Sequence, residues 1–335
     1  MMMKKVILTL ALALTGSLTF AQNSPLEISG SADVYYKYDF AKKENIGTSF
    51  ATDQNSVSLG MLDIALKKTT GKASFVGEIS FGPRGQFQSI PNGDGTDLNS
   101  FHIQNLYATY AATDKLSFTA GYMGTFIGYE VISPVANFHY STSYLFTNGP
   151  FQNAGVKANY AISDKVGIMV GAFNDAWNSY KADPIKGLNA FGAQLSFAPT
   201  DGVSAYLNFM DGSVSGTIVD LTASFQLSDK FKLGLNAADF SNEGKVGYTG
   251  LALYPAVDVS DKFSLGLRGE YFKFKEGSGD NSVTALTLSA NLKAGGLTLI
   301  PEFRLDSGSD ETFEKSSGDP TKSASQFALA VVYGF

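Results

Sequence analysis

Apolar and polar positions alternate along nearly the whole chain. In Phe327, Leu329, Val331, Tyr333 and Phe335 every second residue is large and apolar. Val219, Leu221, Ala223, Phe225 and Leu227 alternate with Asp220, Thr222, Ser224 and Gln226, and Phe263, Leu265 and Leu267 alternate with Ser264, Gly266 and Arg268. Successive side chains on a strand point to opposite faces, so this period of two predicts strands with one apolar and one polar face. No long stretch keeps a helical period.

A short punctuation recurs between the strands: hydrophobic, Ser/Thr, Asp, Lys, hydrophobic, at Ala112–Leu116, Ile162–Val166, Leu227–Phe231 and Val259–Phe263. Looser versions stand at Thr69–Lys72, Pro199–Gly202 and Ala294–Gly296. Such residues bond local backbone or tolerate positive φ, which tight turns need. These seven turns lie 28 to 50 residues apart, room for two strands and a longer loop between each pair. Fourteen strands joined this way, plus one near Leu26–Tyr38 and one near Ser325–Phe335, make sixteen. The remaining connections, 41–54, 83–99, 125–153, 175–187, 212–216, 242–247, 275–281 and 307–323, are longer and polar. Short turns on one side and long loops on the other predict an all-β, transmembrane antiparallel barrel of about sixteen strands, with both termini on the periplasmic side. Closure satisfies the backbone groups that an open sheet would leave bare in lipid.

The start of the chain fits that reading. Lys4-Lys5, the apolar run Val6–Leu14 and Thr19-Phe20-Ala21 form a signal-peptide pattern over 1–21, so the barrel domain is expected over 22–335, with the mature chain starting at Gln22. No later segment reaches the roughly 18–20 apolar residues of a membrane helix. The absence of cysteine excludes disulfides and thiolate metal sites. Without Lys4 and Lys5 the chain holds 23 basic against 31 acidic residues, which leaves no basic stripe for a nucleic acid.

The final segment, Phe327 to Phe335, resembles the C-terminal signature of barrels inserted by the outer-membrane assembly machinery. That resemblance makes Tyr333 and Phe335 the assembly signal and the machinery a partner. The stretch Gly121–Glu130, with Phe138–Pro150 and Gly155, resembles the OmpL-like β-barrel porin family of Gram-negative outer membranes. The resemblance is strongest over about 100–175. It implies passive transport of small hydrophilic solutes and ions through an outer-membrane barrel, without a cofactor, and names no solute.

Catalysis has little to stand on. The two histidines carry no triad motif, and no Gly-x-Ser-x-Gly elbow is present. Parity counted from Thr113 puts His102 with Leu106, Ala108 and Tyr110 on the lipid or interfacial face, and His139 lies in the third long loop. Asn92–Asn99 offers oxygen ligands, but not at EF-hand spacing, and reads as a Gly/Asn/Asp-rich surface loop.

Parity places Asp33, Lys37, Glu78, Lys157, Asp220, Lys232, Asp258, Arg268, Glu270, Glu302 and Arg304 on the polar, pore-lining face, where charges set ion preference. Both signs occur, and only Arg84, Arg268 and Arg304 are arginines, which argues against an arginine-lined phosphate channel. The third long loop, 125–153, carries Phe126, Tyr129, Glu130, Phe138, His139, Tyr140, Tyr144, Phe146 and Phe151. A loop this aromatic is costly in water. Either it folds into the barrel and constricts it, as resemblance to general porins implies, or it packs on a partner subunit, as in a homotrimer. The competing function is a non-transporting barrel whose loops form a binding or adhesion scaffold.

Overall fold

The computed structural model describes residues 24–84, 101–175, 177, 180–244, 246–275 and 281–335. The leader 1–21 and the acidic stretch Asn92–Asn99 lie outside them. The barrel strands are β1 (Glu27–Asp39), β2 (Ser56–Thr70), β3 (Ala73–Phe81), β4 (Phe101–Ala111), β5 (Leu116–Gly124), β6 (Gln152–Ala161), β7 (Val166–Asn174) and β8 (Leu188–Phe197), followed by β9 (Val203–Gly212), β10 (Gly216–Gln226), β11 (Phe231–Ser241), β12 (Gly247–Ser260), β13 (Phe263–Lys275), β14 (Ser282–Ala294) and β15 (Leu297–Gly308). Two short strands, β16 (Phe313–Glu314) and β17 (Pro320–Thr321), pair with each other, and β18 (Ser323–Gly334) closes the barrel against β1. Sixteen antiparallel strands thus form one closed barrel, with the β16–β17 hairpin standing apart inside the last long loop.

The repeated turn motif works through its hydroxyl. Thr113 Oγ1 accepts from Leu116 N at 3.0 Å, and Ser163 and Ser228 do the same for Val166 at 3.2 Å and Phe231 at 3.1 Å. At the seam, Gly30 and Phe335 exchange both backbone hydrogen bonds at 3.0 Å, so the last residue is sewn to the first strand.

Alternation sorts the two faces as expected: Leu251 and Leu253, Leu286 and Leu288, Phe303 and Leu305 are exposed on the outside, while Ala252, Thr287 and Arg304 between them are wholly buried inside. Among the described residues four strand pairs carry a register shift, and two of these shifts bear on the inner face. Opposite Asp33, β2 carries the extra pair Gly60–Met61, and Asp33 accepts from Met61 N at 2.9 Å. In β4, Glu78 pairs with Asn105 and Ile79 with Ile103, which leaves Gln104 over. Gln104 accepts from Ser80 Oγ, and Asn105 donates to Glu78, so two neighbouring residues face inward. The expectation that His102 meets lipid is therefore wrong: beyond the bulge parity slips by one, and His102 is buried inside, paired in register with Ser80.

Candidate functional site

The third long loop leaves β5 at Gly124 and turns into the lumen. Its two limbs are joined by a 3-10 turn, Pro134–Ala136, and a one-turn helix α1, Tyr144–Asn148. Ser143 caps α1 by accepting from Phe146 N at 3.0 Å. Glu130, on the descending limb, accepts from Ser143 N at 2.7 Å and Ser143 Oγ at 2.9 Å on the returning limb, so the loop is stapled to itself.

The barrel wall supplies the rest of the anchorage, chiefly through carboxylates that meet loop N–H groups. Glu302 accepts from Tyr140 N at 2.9 Å and Ser141 N at 3.1 Å; Glu270 accepts from Tyr144 N at 2.9 Å and Leu145 N at 2.8 Å. Asp220 accepts from Gly128 N at 3.0 Å, Asp33 from the Tyr140 hydroxyl at 2.5 Å, and Asp306 from the Tyr144 hydroxyl at 2.8 Å. Each pairing satisfies a backbone or phenol donor that would otherwise be stranded inside the barrel.

All three arginines of the chain serve this loop. Arg84 donates from Nε to Ile132 O at 2.8 Å and lies over the rings of Phe50 (4.6 Å) and Tyr140 (5.0 Å). Arg268 holds Glu130 on one limb at 2.7 Å and Ser141 O on the other at 2.6 Å. Arg304 bonds Thr142 O at 2.8 Å and Thr48 of the first long loop at 3.1 Å, is paired with Asp306 at 2.8 Å, and lies 5.1 Å from the Tyr144 ring. A planar fork of donors suits this work, since one guanidinium can satisfy several carbonyls at fixed angles. His139 is buried beside Ser289 Oγ at 2.7 Å. Burial, together with the charges of Arg268 and Arg304, holds its imidazole well below the usual range, hence neutral.

The aromatic side chains sit in sockets made by glycines on the inner wall. A Cβ on Gly234 would lie 2.2 Å from the Tyr129 hydroxyl, one on Gly266 2.2 Å from Phe138, one on Gly192 2.5 Å from Phe126, and one on Gly250 2.8 Å from Leu145. Tyr129 stacks on Tyr254 with centroids 4.5 Å apart, and Phe146 packs edge-on against Phe151 at 4.6 Å. Ile46 of the first long loop and Phe313 of the β16–β17 hairpin join the same buried cluster as Tyr144, so three loops cover this side of the lumen. Between the loop and β10–β12 remains a cavity of about 10 Å³, room for about one water and no solute.

Of the residues that parity singles out, Asp33, Lys37, Asp220, Arg268, Glu270, Glu302 and Arg304 are buried inside the barrel, all but Lys37 bonded directly to the loop or holding its anchors. Glu78, Lys157, Lys232 and Asp258 are partly exposed inside, with Lys232 and Asp258 paired at 3.3 Å near the short turns. Asp63 and Asp306 also face inward, flanked outside by Leu62 and Ile64 and by Leu305; sequence reasoning misses both, along with Arg84 and the glycine sockets. Tyr333 and Phe335 are half exposed, with rings 6.5 Å apart. Among the described residues no three His, Cys, Asp or Glu side chains gather to hold a metal ion.

Residues 25–335 match the family model described as "Putative beta-barrel porin-2, OmpL-like". The chain belongs to this porin family. No curated protein matches it in sequence. Among solved structures the family member is similar in fold to OmpF of Salmonella typhi, solved with daunomycin, at a TM-score of 0.62 and 12% identity over 92% of this chain and 97% of that one. It is similar to OprB of Pseudomonas putida at 0.58 and 12%, over 93% and 94% of the two chains. It is also similar to the trimer form of Vibrio cholerae OmpT at 0.57 and 13%, over 94% and 100%. At such identities the likeness concerns the fold: a porin-type barrel of the outer-membrane class.

Proposed function

We propose that this family member is an outer-membrane porin through which small hydrophilic solutes and ions diffuse passively, narrowed by the loop 125–151. The observation that carries this reading is the one-sided anchorage of that loop. Its hydrogen bonds land mainly on β1 and β10–β15, where the wall is buried, whereas Tyr107, Thr109, Lys157 and Asn159 on β4 and β6 stay partly exposed and hydrophilic. Solutes pass along the uncovered wall, and a loop held by three guanidiniums sets the width. A homotrimer is the assembly that goes with this reading, by analogy with the trimer form of OmpT. Phe335 serves assembly by completing the seam.

The competing reading is a closed scaffold that displays its loops. It draws on the packing of Ile46 and Phe313 over the lumen. Liposome swelling separates the two. Vesicles carrying the purified protein should swell in arabinose and glucose and progressively less in di- and trisaccharides. No swelling above empty vesicles with any sugar would leave only the scaffold.

A further inference from the structure

The uncovered wall carries one conspicuous charge. Across six strands a single register row reads Ser74, Thr109, Thr119, Lys157, Gly171 and Gly192. Thr109 and Thr119 satisfy each other at 2.9 Å. On the other side Gly171 and Gly192 are roofed by the rings of Phe173 and Phe126. One step along β6, Asn159 shares the inner face and pairs in register with Ser117.

Lys157 therefore projects between hydroxyls and rings, with no carboxylate in its row. Among the described residues its ammonium has neither a hydrogen bond nor an ion pair. The other inner cations differ: Arg84, Arg268, Arg304 and Lys37 are buried, Lys232 is held by Asp258, Lys67 is paired with Glu27 at 3.9 Å, and Lys293 stands near Asp258 at the short-turn end of β14. The inner carboxylates on either side are engaged elsewhere: Asp175, four residues beyond Gly171, accepts from Ser213 Oγ and Val214 N, and Glu78, four residues along β3 from Ser74, is engaged by Asn105. On the loop, the side chains most open to the lumen are Val131, Val135 and Ala136, which carry no charge.

We propose that Lys157 is the specificity-determining residue of the passage: it favours solutes bearing a carboxylate, sulfate or phosphate and disfavours cations. The inference rests on the porin reading above. A charge about 7 Å from a permeating ion in water is worth about RT, favourable for an anion and unfavourable for a cation. Neutralising it should thus change the anion-to-cation permeability ratio roughly sevenfold.

The test is the zero-current potential of single channels in a KCl gradient, for wild type, Lys157→Gln, Lys157→Glu and Lys157→Arg, each checked for heat-modifiable folding. The chloride-to-potassium ratio should fall roughly sevenfold in Lys157→Gln, further in Lys157→Glu, and hold in Lys157→Arg. Swelling in sodium gluconate should slow in Lys157→Glu while swelling in glucose does not. An unchanged ratio in folded, conducting Lys157→Glu overturns the assignment to Lys157 and leaves the porin reading standing. Wild-type barrels that never conduct overturn both.

Discussion

Arg268 on β13 and Glu130 on the inward loop form a salt bridge of 2.7 Å with both side chains almost wholly out of solvent. The same guanidinium reaches Ser141 and Thr142 on the returning limb, and the same carboxylate caps the start of α1 through Ser143. One ion pair thus fixes the loop to the wall and the loop to itself. Breaking a buried pair from one side strands the other charge and costs about 3–5 kcal/mol, more than removing both together. Arg268→Met should therefore expose the loop to chymotrypsin in intact barrels, while Arg268→Met with Glu130→Gln should expose it less. Equal protection in wild type and Arg268→Met would show that the pair does not hold the loop.

The glycine sockets make a second prediction. Gly234→Val would put side-chain atoms where the Tyr129 ring lies, and overpacking of this kind costs about 1–3 kcal/mol. The barrel should still assemble, with Tyr129 displaced and conductance altered. Gly269→Val, whose nearest foreign atom is 3.7 Å away on Leu286 of the outer face, should change nothing. Single-channel recording of both variants checks the contrast.

Facing is tested on β13. Leu267 is exposed outward and Ser264 is buried inward, where its hydroxyl donates to Asp258 at 2.6 Å. Arginine on the lipid face costs about 2–4 kcal/mol near the membrane midplane. Leu267→Arg should lower the yield of heat-modifiable barrel well below that of Ser264→Arg. The opposite order would place the strand one residue out of register.

His139 links loop docking to pH. Its folded pKa is depressed, so a released loop takes up a proton first as pH falls through the ordinary imidazole range near ~6.5, and docking weakens from there downward. Around it stand Ser289, Glu302, Arg268 and Arg304, besides Phe138 and Tyr254. Chymotrypsin cleavage within the loop should be greater at pH 5 than at pH 7.5, and His139→Gln should flatten the part of that dependence due to the imidazole. An identical pH profile in His139→Gln would remove this residue from the linkage.

How far the chain could be read follows from where its information is local. Alternation and the Ser/Thr-Asp-Lys turns are nearest-neighbour properties, so strand number and long-loop positions are legible from the pattern alone. Bulges are not: Gln104 is one unpaired residue without a Gly or Pro to mark it, and it moved His102 to the other face. Asp63 and Asp306 were within reach of the same parity rule. The inner glycines were readable too, since Gly250 stands between Leu251 and an alternating strand, but what fills the socket comes from 105 positions away in Leu145. The 3-10 turn and α1 have no local signal of comparable strength. The fold of this segment depends on distant strands: Glu270 accepts from Tyr144 N and Leu145 N at the start of α1, and Glu302 accepts from Tyr140 N and Ser141 N just before it.

Phe335 closes the seam with Gly30 through backbone groups that any residue could supply, while its ring lies over Gly30 and stays half exposed, where the proposed recognition would meet it. Phe335→Ser should keep the register of β18 yet lower the amount of heat-modifiable barrel in the outer membrane. Undiminished assembly at ordinary expression would assign the ring no such role.

On the proposed reading, the loop 125–151 narrows an otherwise open barrel. Replacing Pro134–Thr147 by a short Gly/Ser linker removes the 3-10 turn and most of α1 and leaves every barrel strand in place. Single-channel conductance in planar bilayers is the most direct measurement. Stable ohmic steps are expected for the wild type, and larger steps, admitting larger sugars, for the replacement; equal conductance and size exclusion in the two proteins would contradict this reading.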